Sequence, residues 1–233
     1  MIKFQMNENP RPQWLEEIPS VMEILEEAKS ELGFGGLVGK VRPSELARML
    51  ERKCHEIYRR YEERVRVRWK DKVDPARLEQ SLQQSRMSRA GKTTEEIFRL
   101  LIDSLGVRYE RDARKRQIGG ETPDFLIPDR ETFDKDPSKA VILSVKRKVR
   151  ERWREVVGEA YILRKIHGIP DNVWFATLEC DIDDYIVDTM TKLDIRVYIP
   201  DDCYEQFRRF QKAYPLSQLF EDLLEFGRSR RHG

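Results

Sequence analysis

The chain has 233 residues, 37% of them Asp, Glu, Lys or Arg, and a formal net charge of only +2. That length allows one large domain, or one domain with a small appendage, and no apolar run approaches the ~20 residues a membrane-spanning helix needs. Cys54, Cys180 and Cys203 are odd in number and far apart, which fits neither a disulfide framework nor a zinc cluster. The N-terminal MIKFQMNENPRPQW lacks the apolar core of a secretory signal, so an intracellular protein with reduced thiols is expected.

Residues 13–32 read as one amphipathic helix with Leu15, Ile18, Met22, Leu25 and Leu32 on its apolar stripe, ended by a glycine-rich turn at 33–39. Ser44 is a suitable N-cap for a long helix over 45–70, and Asp74-Pro75 restarts a helix that runs to Met87. Residues 1–80 thus read as a helical N-terminal region and 81–233 as a second domain. Thr93 or Thr94 caps the next helix, whose apolar face is Ile97, Phe98, Leu101, Ile102 and Leu105 and whose stop is Gly106. Strands are expected at 107–110, 124–127 and 140–146, then a helix at 149–167 ended by Gly168 and Pro170. NVWFATL, 172–178, reads as a buried strand. A helix starts at Asp183 or Asp184 and ends at Leu193; a strand at 195–199 and helices at 201–213 and 216–226 complete the chain. Continuous apolar strands alternating with helices imply an α/β fold, a mixed central sheet flanked by helices on both faces, with a helical N-terminal subdomain.

Arginines cluster at 59–68, 111–116, 147–154 and 228–231, and acids at 16–31 and 181–188. A locally basic face on a near-neutral chain suits phosphate binding, although intrahelical ion pairs account for part of the charge at 51–72. The stretch 123–159 concentrates the chemistry. Asp124 opens the apolar run Phe125-Leu126-Ile127, and a second apolar run from Ala140 to Val145 ends on Lys146. An acid and a lysine at the ends of neighbouring strands can supply an oxygen ligand for a divalent cation and an ammonium beside an attacking water. Taken alone, Pro-Asp is ordinary turn chemistry and a strand-end lysine is ordinarily a solvated charge.

Several motifs in order resolve that ambiguity. Gln84-Ser85-Arg86-Met87-Ser88-Arg89-Ala90-Gly91-Lys92 is similar to a QSRxSRAGK signature, with Glu95 as the acid after it. Pro123-Asp124-Phe125-Leu126 matches PDFL, and Val145-Lys146 followed by Arg150-Glu151-Arg152-Trp153-Arg154 matches VK…(K/R)(D/E)RWR. Ile195 to Pro200 is similar to a late strand ending in proline. Over about residues 80–210 the chain resembles the PD-(D/E)xK nucleases, in the branch of type II restriction endonucleases that reads CC and GG dinucleotides (EcoRII catalytic domain, PspGI and SsoII type).

The resemblance implies a Mg²⁺-dependent endonuclease that cuts double-stranded DNA at a CC/GG-containing palindrome, of CCNGG or CCWGG type. It implies a homodimer in the cytoplasm of a prokaryote. Asp124 and Glu159 become the metal carboxylates and Lys146 the catalytic ammonium. The usual D/E-x-K acid is replaced by Ser144, and the branch moves that acid thirteen residues beyond the lysine, to Glu159; Glu155, on the same helical face, is the competitor. Glu95 orients Lys146 or binds metal through water, with Glu96 able to exchange roles. Arginine forks onto guanine O6 and N7 and glutamate accepts from cytosine N4, which suits Arg150, Glu151 and Arg152 to reading C·G pairs. Gln84 and Arg86 contact the remaining base pair or the backbone, with Gln83 as the alternative to Gln84, and Trp153 packs in the core. The helices of 1–80 support DNA or dimer contacts. Two other readings share the acid and lysine: a structure-selective nuclease of junction-resolvase type, which needs no base readers, and a non-cleaving DNA-binding protein on a nuclease fold.

Overall fold

The computed structural model describes residues 12–118, 120–149, 153–165, 167–169 and 172–228. The expected helix at 13–32 is two helices, Gln13–Glu16 and Val21–Leu32. Pro19 has no N–H to give a continuing helix, and Ser20 starts the second helix with a capping box. Its hydroxyl accepts from the Glu23 amide, and the Glu23 carboxylate accepts from its own. The restart turns the stripe, so Ile24, Leu25 and Ala28 are buried and Met22 is exposed. The next helix is Pro43–Trp69; proline at its first position leaves Ser44 inside it, buried, rather than at the cap.

Asp74 caps the following helix on the Arg77 amide, but that helix runs unbroken over Pro75–Ser104. Thr94 turns its hydroxyl back to the Ala90 carbonyl and caps nothing. The segment that the sequence breaks near Met87 is held by its neighbours instead. Ser85 accepts from the Tyr58 hydroxyl at 3.2 Å, and Arg86 grips Glu62 through two bonds of 3.1 and 2.7 Å. Arg89 donates to the carbonyls of Pro19 and Ile18. These ties offset the ~1 kcal/mol that a mid-helix glycine such as Gly91 costs relative to alanine. Residues 80 and 81 lie inside this helix, and one core joins Leu50, Ile57, Leu82 and Phe98 to Phe125 and Trp174 of the sheet.

Five strands form that sheet: β1 Phe125–Ile127, β2 Val141–Lys146, β3 Val173–Thr177, β4 Arg196–Ile199 and β5 Ala213–Pro215, in the order β1-β2-β3-β4-β5. β1 runs antiparallel to β2 and the remaining pairs are parallel. Phe125, Leu143, Trp174 and Tyr198 face the first core. Leu126, Ile142, Phe175 and Val197 face a second core beneath the helices Trp153–Lys165 and Asp184–Lys192. The sheet is thus mixed and covered on both faces, as expected.

Two further expected elements differ. Residues 107–110 form no strand; they reach the sheet through the Glu110 amide, which donates to the Leu126 carbonyl at 2.8 Å, and through the Tyr109 ring, edge-on to Phe125. The expected helix at 201–213 stops at Tyr204, and Ala213 and Tyr214 instead pair with Val197 and Tyr198 as β5. The last helix is Leu216–Arg228. No helix among the described residues is long and apolar enough to cross a membrane.

The structure also corrects the expectation of three reduced thiols. Cys180, in the bend after β3, and Cys203, just after β4, form a disulfide with Cα atoms 5.9 Å apart; Cys54 is buried and free. Parallel strands bring their exits side by side, a proximity that spacing in the sequence does not reveal. Closing this 23-residue separation should stabilise the fold by about 3 kcal/mol. Reduction should therefore lower Tm by roughly 5–10 °C, and the denatured, unreduced chain should titrate as one thiol. Three titratable thiols and a Tm indifferent to reductant would show that the bond does not form.

Candidate active site

Side chains alternate across a strand, and this alternation assembles the site. In the β1–β2 register Phe125 lies opposite Leu143, so Asp124, one residue before β1, comes opposite Ser144. Asp124, Ser144 and Lys146 share parity with Leu126 and Ile142, whose side chains face the Trp153–Lys165 helix. That helix buries Val156, Ala160 and Leu163 against the same sheet face and carries Glu159 beside Ser144.

The resulting contacts are close. Asp124 Oδ2 accepts from the Val145 amide at 2.8 Å and lies 3.4 Å from Lys146 Nζ, and both charged side chains are 15% exposed. The Ser144 hydroxyl donates to Glu159 Oε2 at 3.2 Å. Ser144, where the resemblance replaces the usual acid, is thus bonded to the candidate acid Glu159 of the next helix. Burial pushes the Glu159 carboxyl above the usual range, partly countered by Lys146 and Ser144 and reinforced by Asp124 and Glu121. Glu121, three residues ahead of Asp124, is a neighbour that motif reading passed over.

Glu95 belongs to the Pro75–Ser104 helix, which packs against the opposite face of the sheet. It is half-buried, and burial raises its carboxyl first, then repulsion from Asp124; Arg99 and Lys146 oppose the shift. It therefore belongs to the same electrostatic cluster as Asp124 and Lys146. Glu96 pairs with Arg99 at 2.5 Å. Glu155 is exposed on the Trp153–Lys165 helix, whereas Glu159 is the acid bonded to Ser144.

Arg150, Glu151 and Arg152 lie outside the described residues. Gln83 and Gln84 are exposed on the long helix. Arg86 is engaged within the fold, paired with Glu62, whose side chain is 1% exposed. Trp153 is buried in the second core, edge-on to Tyr185. Among the described residues, the trio of His, Cys, Asp or Glu ligand atoms lying within 4.8 Å of one another is Cys180, Asp202 and Cys203, whose two sulfurs are bonded to each other.

The EcoRII C-terminal family profile matches residues 48–223. A search of curated proteins found no match. Among solved structures, the restriction endonuclease PspGI in complex with substrate DNA is similar with a TM-score of 0.84 and 37% identity, over 94% of this chain and 97% of that one. Metal-depleted Ecl18kI in complex with uncleaved DNA is similar with a TM-score of 0.73 and 18% identity, over 94% of this chain and 82% of that one; at that identity the likeness shows the fold alone. The acid–lysine pair at the strand ends, the mixed sheet and these matches agree, and the chain belongs to the EcoRII C-terminal family, type II restriction endonucleases of the PD-(D/E)xK superfamily.

Proposed function

We propose that this enzyme hydrolyses phosphodiester bonds of double-stranded DNA at a palindrome containing CC and GG, of CCNGG or CCWGG type, with Mg²⁺, as a cytoplasmic homodimer. The observation that carries this reading is the meeting of Asp124, Lys146 and Glu159 at one end of the β1–β2 pair. The presence of substrate DNA in the PspGI complex supports duplex DNA as the ligand. A palindromic target matches a two-fold protein in which each subunit reads one half-site.

The donor set suits magnesium, which takes one or two carboxylates and completes its shell with water and phosphate oxygen. Glu159 is a half-buried acid raised by burial and by a second carboxylate, an arrangement that a divalent cation would relieve. Asp124 and Glu159 would hold the ion, which when bound acts as a Lewis acid on the phosphate and lowers the pKa of water. Lys146 places its ammonium at the scissile phosphate, where it stabilises the attacking hydroxide and the charge that develops on the phosphorus oxygens. Asp124 and Glu95 orient that ammonium from the two sides of the sheet. Arg150, Glu151 and Arg152 then read C·G pairs, and Gln84 contacts the remaining pair. Arg86, tied to buried Glu62, serves this reading as the support of Gln84 or as a backbone contact.

The test is digestion of duplexes carrying a CCNGG or CCWGG site beside duplexes with one C·G pair exchanged. Wild type should cut only the first set, and Arg152→Ala should lose about 1–3 kcal/mol of that discrimination. Equal loss on specific and random DNA would make Arg152 a phosphate contact. A preference for branched DNA would favour the resolvase reading, and specific binding without cutting the non-cleaving one.

A further inference from the structure

Arg147, Lys148 and Val149 separate Lys146 from Arg150, and each is held from outside that segment. Arg147 Nε donates to Glu51 of the Pro43–Trp69 helix at 2.8 Å and lies 2.9 Å from Glu179. The Arg147 carbonyl accepts from the hydroxyl of Thr177 at 3.2 Å, and Thr177 is fully buried at the end of β3. Lys148 Nζ lies 3.9 Å from the other Glu179 oxygen. The Val149 amide donates to both Asp181 carboxylate oxygens, at 3.1 and 3.0 Å, while its side chain is buried in the second core. Glu179 and Asp181 flank Cys180, which the disulfide staples to Cys203 beyond β4.

Lys148 is largely exposed, and such a pair contributes little to stability, about 0–1 kcal/mol, whereas Arg147 is mostly buried between its two acids. A charged acceptor on a main-chain amide is stronger and more directional, and here it acts on the last described residue before Arg150. A displacement of ~1 Å far from the chemistry can cost 10²-fold in rate, and a reading side chain needs its support held within about 0.5 Å. The same peptide run leaves Lys146 and enters the residues read above as base contacts. A fixed course for that run would couple recognition to cleavage.

We propose that Glu179 and Asp181 are positioning residues. They fix the run from Lys146 to Val149, so that the cleavage centre and the base-reading residues after it hold one register on DNA. The proposal rests on the reading of Arg150 to Arg152 as base contacts.

The test uses the full chain and two sets of duplexes: one carrying the site mapped for wild type, the other with one base pair exchanged. Asp181→Ala should lower the ratio of single-turnover rates between the two sets about 10-fold. Its Tm should stay close to wild type, and exchange at the Val149 amide should quicken. Asp181→Asn keeps an acceptor oxygen for that amide and should restore most of the ratio. Where Asp181→Ala does not fold, Glu179→Gln, which loosens only Arg147 and Lys148, gives the same comparison. An unchanged ratio despite faster Val149 exchange would overturn the proposal. So would an equal loss on both duplex sets that follows Tm. A wild type that cuts without sequence preference would instead sink the underlying reading, and with it the proposal, before any variant is made.

Discussion

Lys146→Ala should reduce DNA cleavage by about 10²–10³-fold, the usual cost of removing one group that stabilises developing transition-state charge. Specific binding should survive. Lys146 lies at the end of β2, is 15% exposed and lies 3.4 Å from Asp124, so its ammonium is held at the mouth of the site and contributes little to the core. Sequence reading is assigned to other residues, so a gel shift on the cognate duplex should remain while single-turnover cleavage collapses. Cleavage within a few-fold of wild type would remove Lys146 from the mechanism. Loss of binding in step with cleavage would recast it as a DNA anchor.

Glu159→Gln should cost at least ~100-fold in cleavage, since even outer partners of a metal site are worth about 10–100-fold each, and Glu155→Gln should cost little. The pair decides which acid of the helix face belongs to the site. Glu159 also makes a pH prediction. Its carboxyl is raised in the fold, chiefly by burial, so the native state keeps a proton that the unfolded chain releases near 4.5. Without metal, the stability this group adds is complete below that pH and is lost as pH rises through the raised native value. Metal-free Tm should therefore decline over that window, and Glu159→Gln should flatten the decline, leaving the parts due to Glu95 and Glu179, which are raised for the same reason. Mg²⁺, added above the window, should raise Tm in wild type and much less in Glu159→Gln. A Tm rise equal in both proteins would place the cation elsewhere.

Much of this site is legible in the sequence because its pieces are local. Asp124 opens one apolar run and Lys146 closes another, and two strands with that pattern pair edge to edge. Glu159 follows from family spacing rather than from helix geometry, which admits Glu155 equally. In the structure Glu159 accepts a bond from Ser144, and Glu155 is exposed. What the sequence hides is non-local. The Pro75–Ser104 helix continues past Met87 because Arg86 and Arg89 fasten it to Glu62 and to the 18–19 carbonyls, and a threonine pair reads as a cap where those partners are unknown. β5 is three residues long and exists by pairing with β4. Glu179 and Asp181 meet the Arg147–Val149 run only because β2 and β3 are neighbours in the sheet. In one dimension they are a short acidic bend.

The most direct test of the account is digestion of a plasmid of known sequence in Mg²⁺, with the fragment ends sequenced. Discrete fragments whose ends all fall within one CC…GG palindrome are expected, with no cutting when the metal is chelated. Ends scattered without sequence preference, or an intact plasmid at every Mg²⁺ concentration, would contradict it.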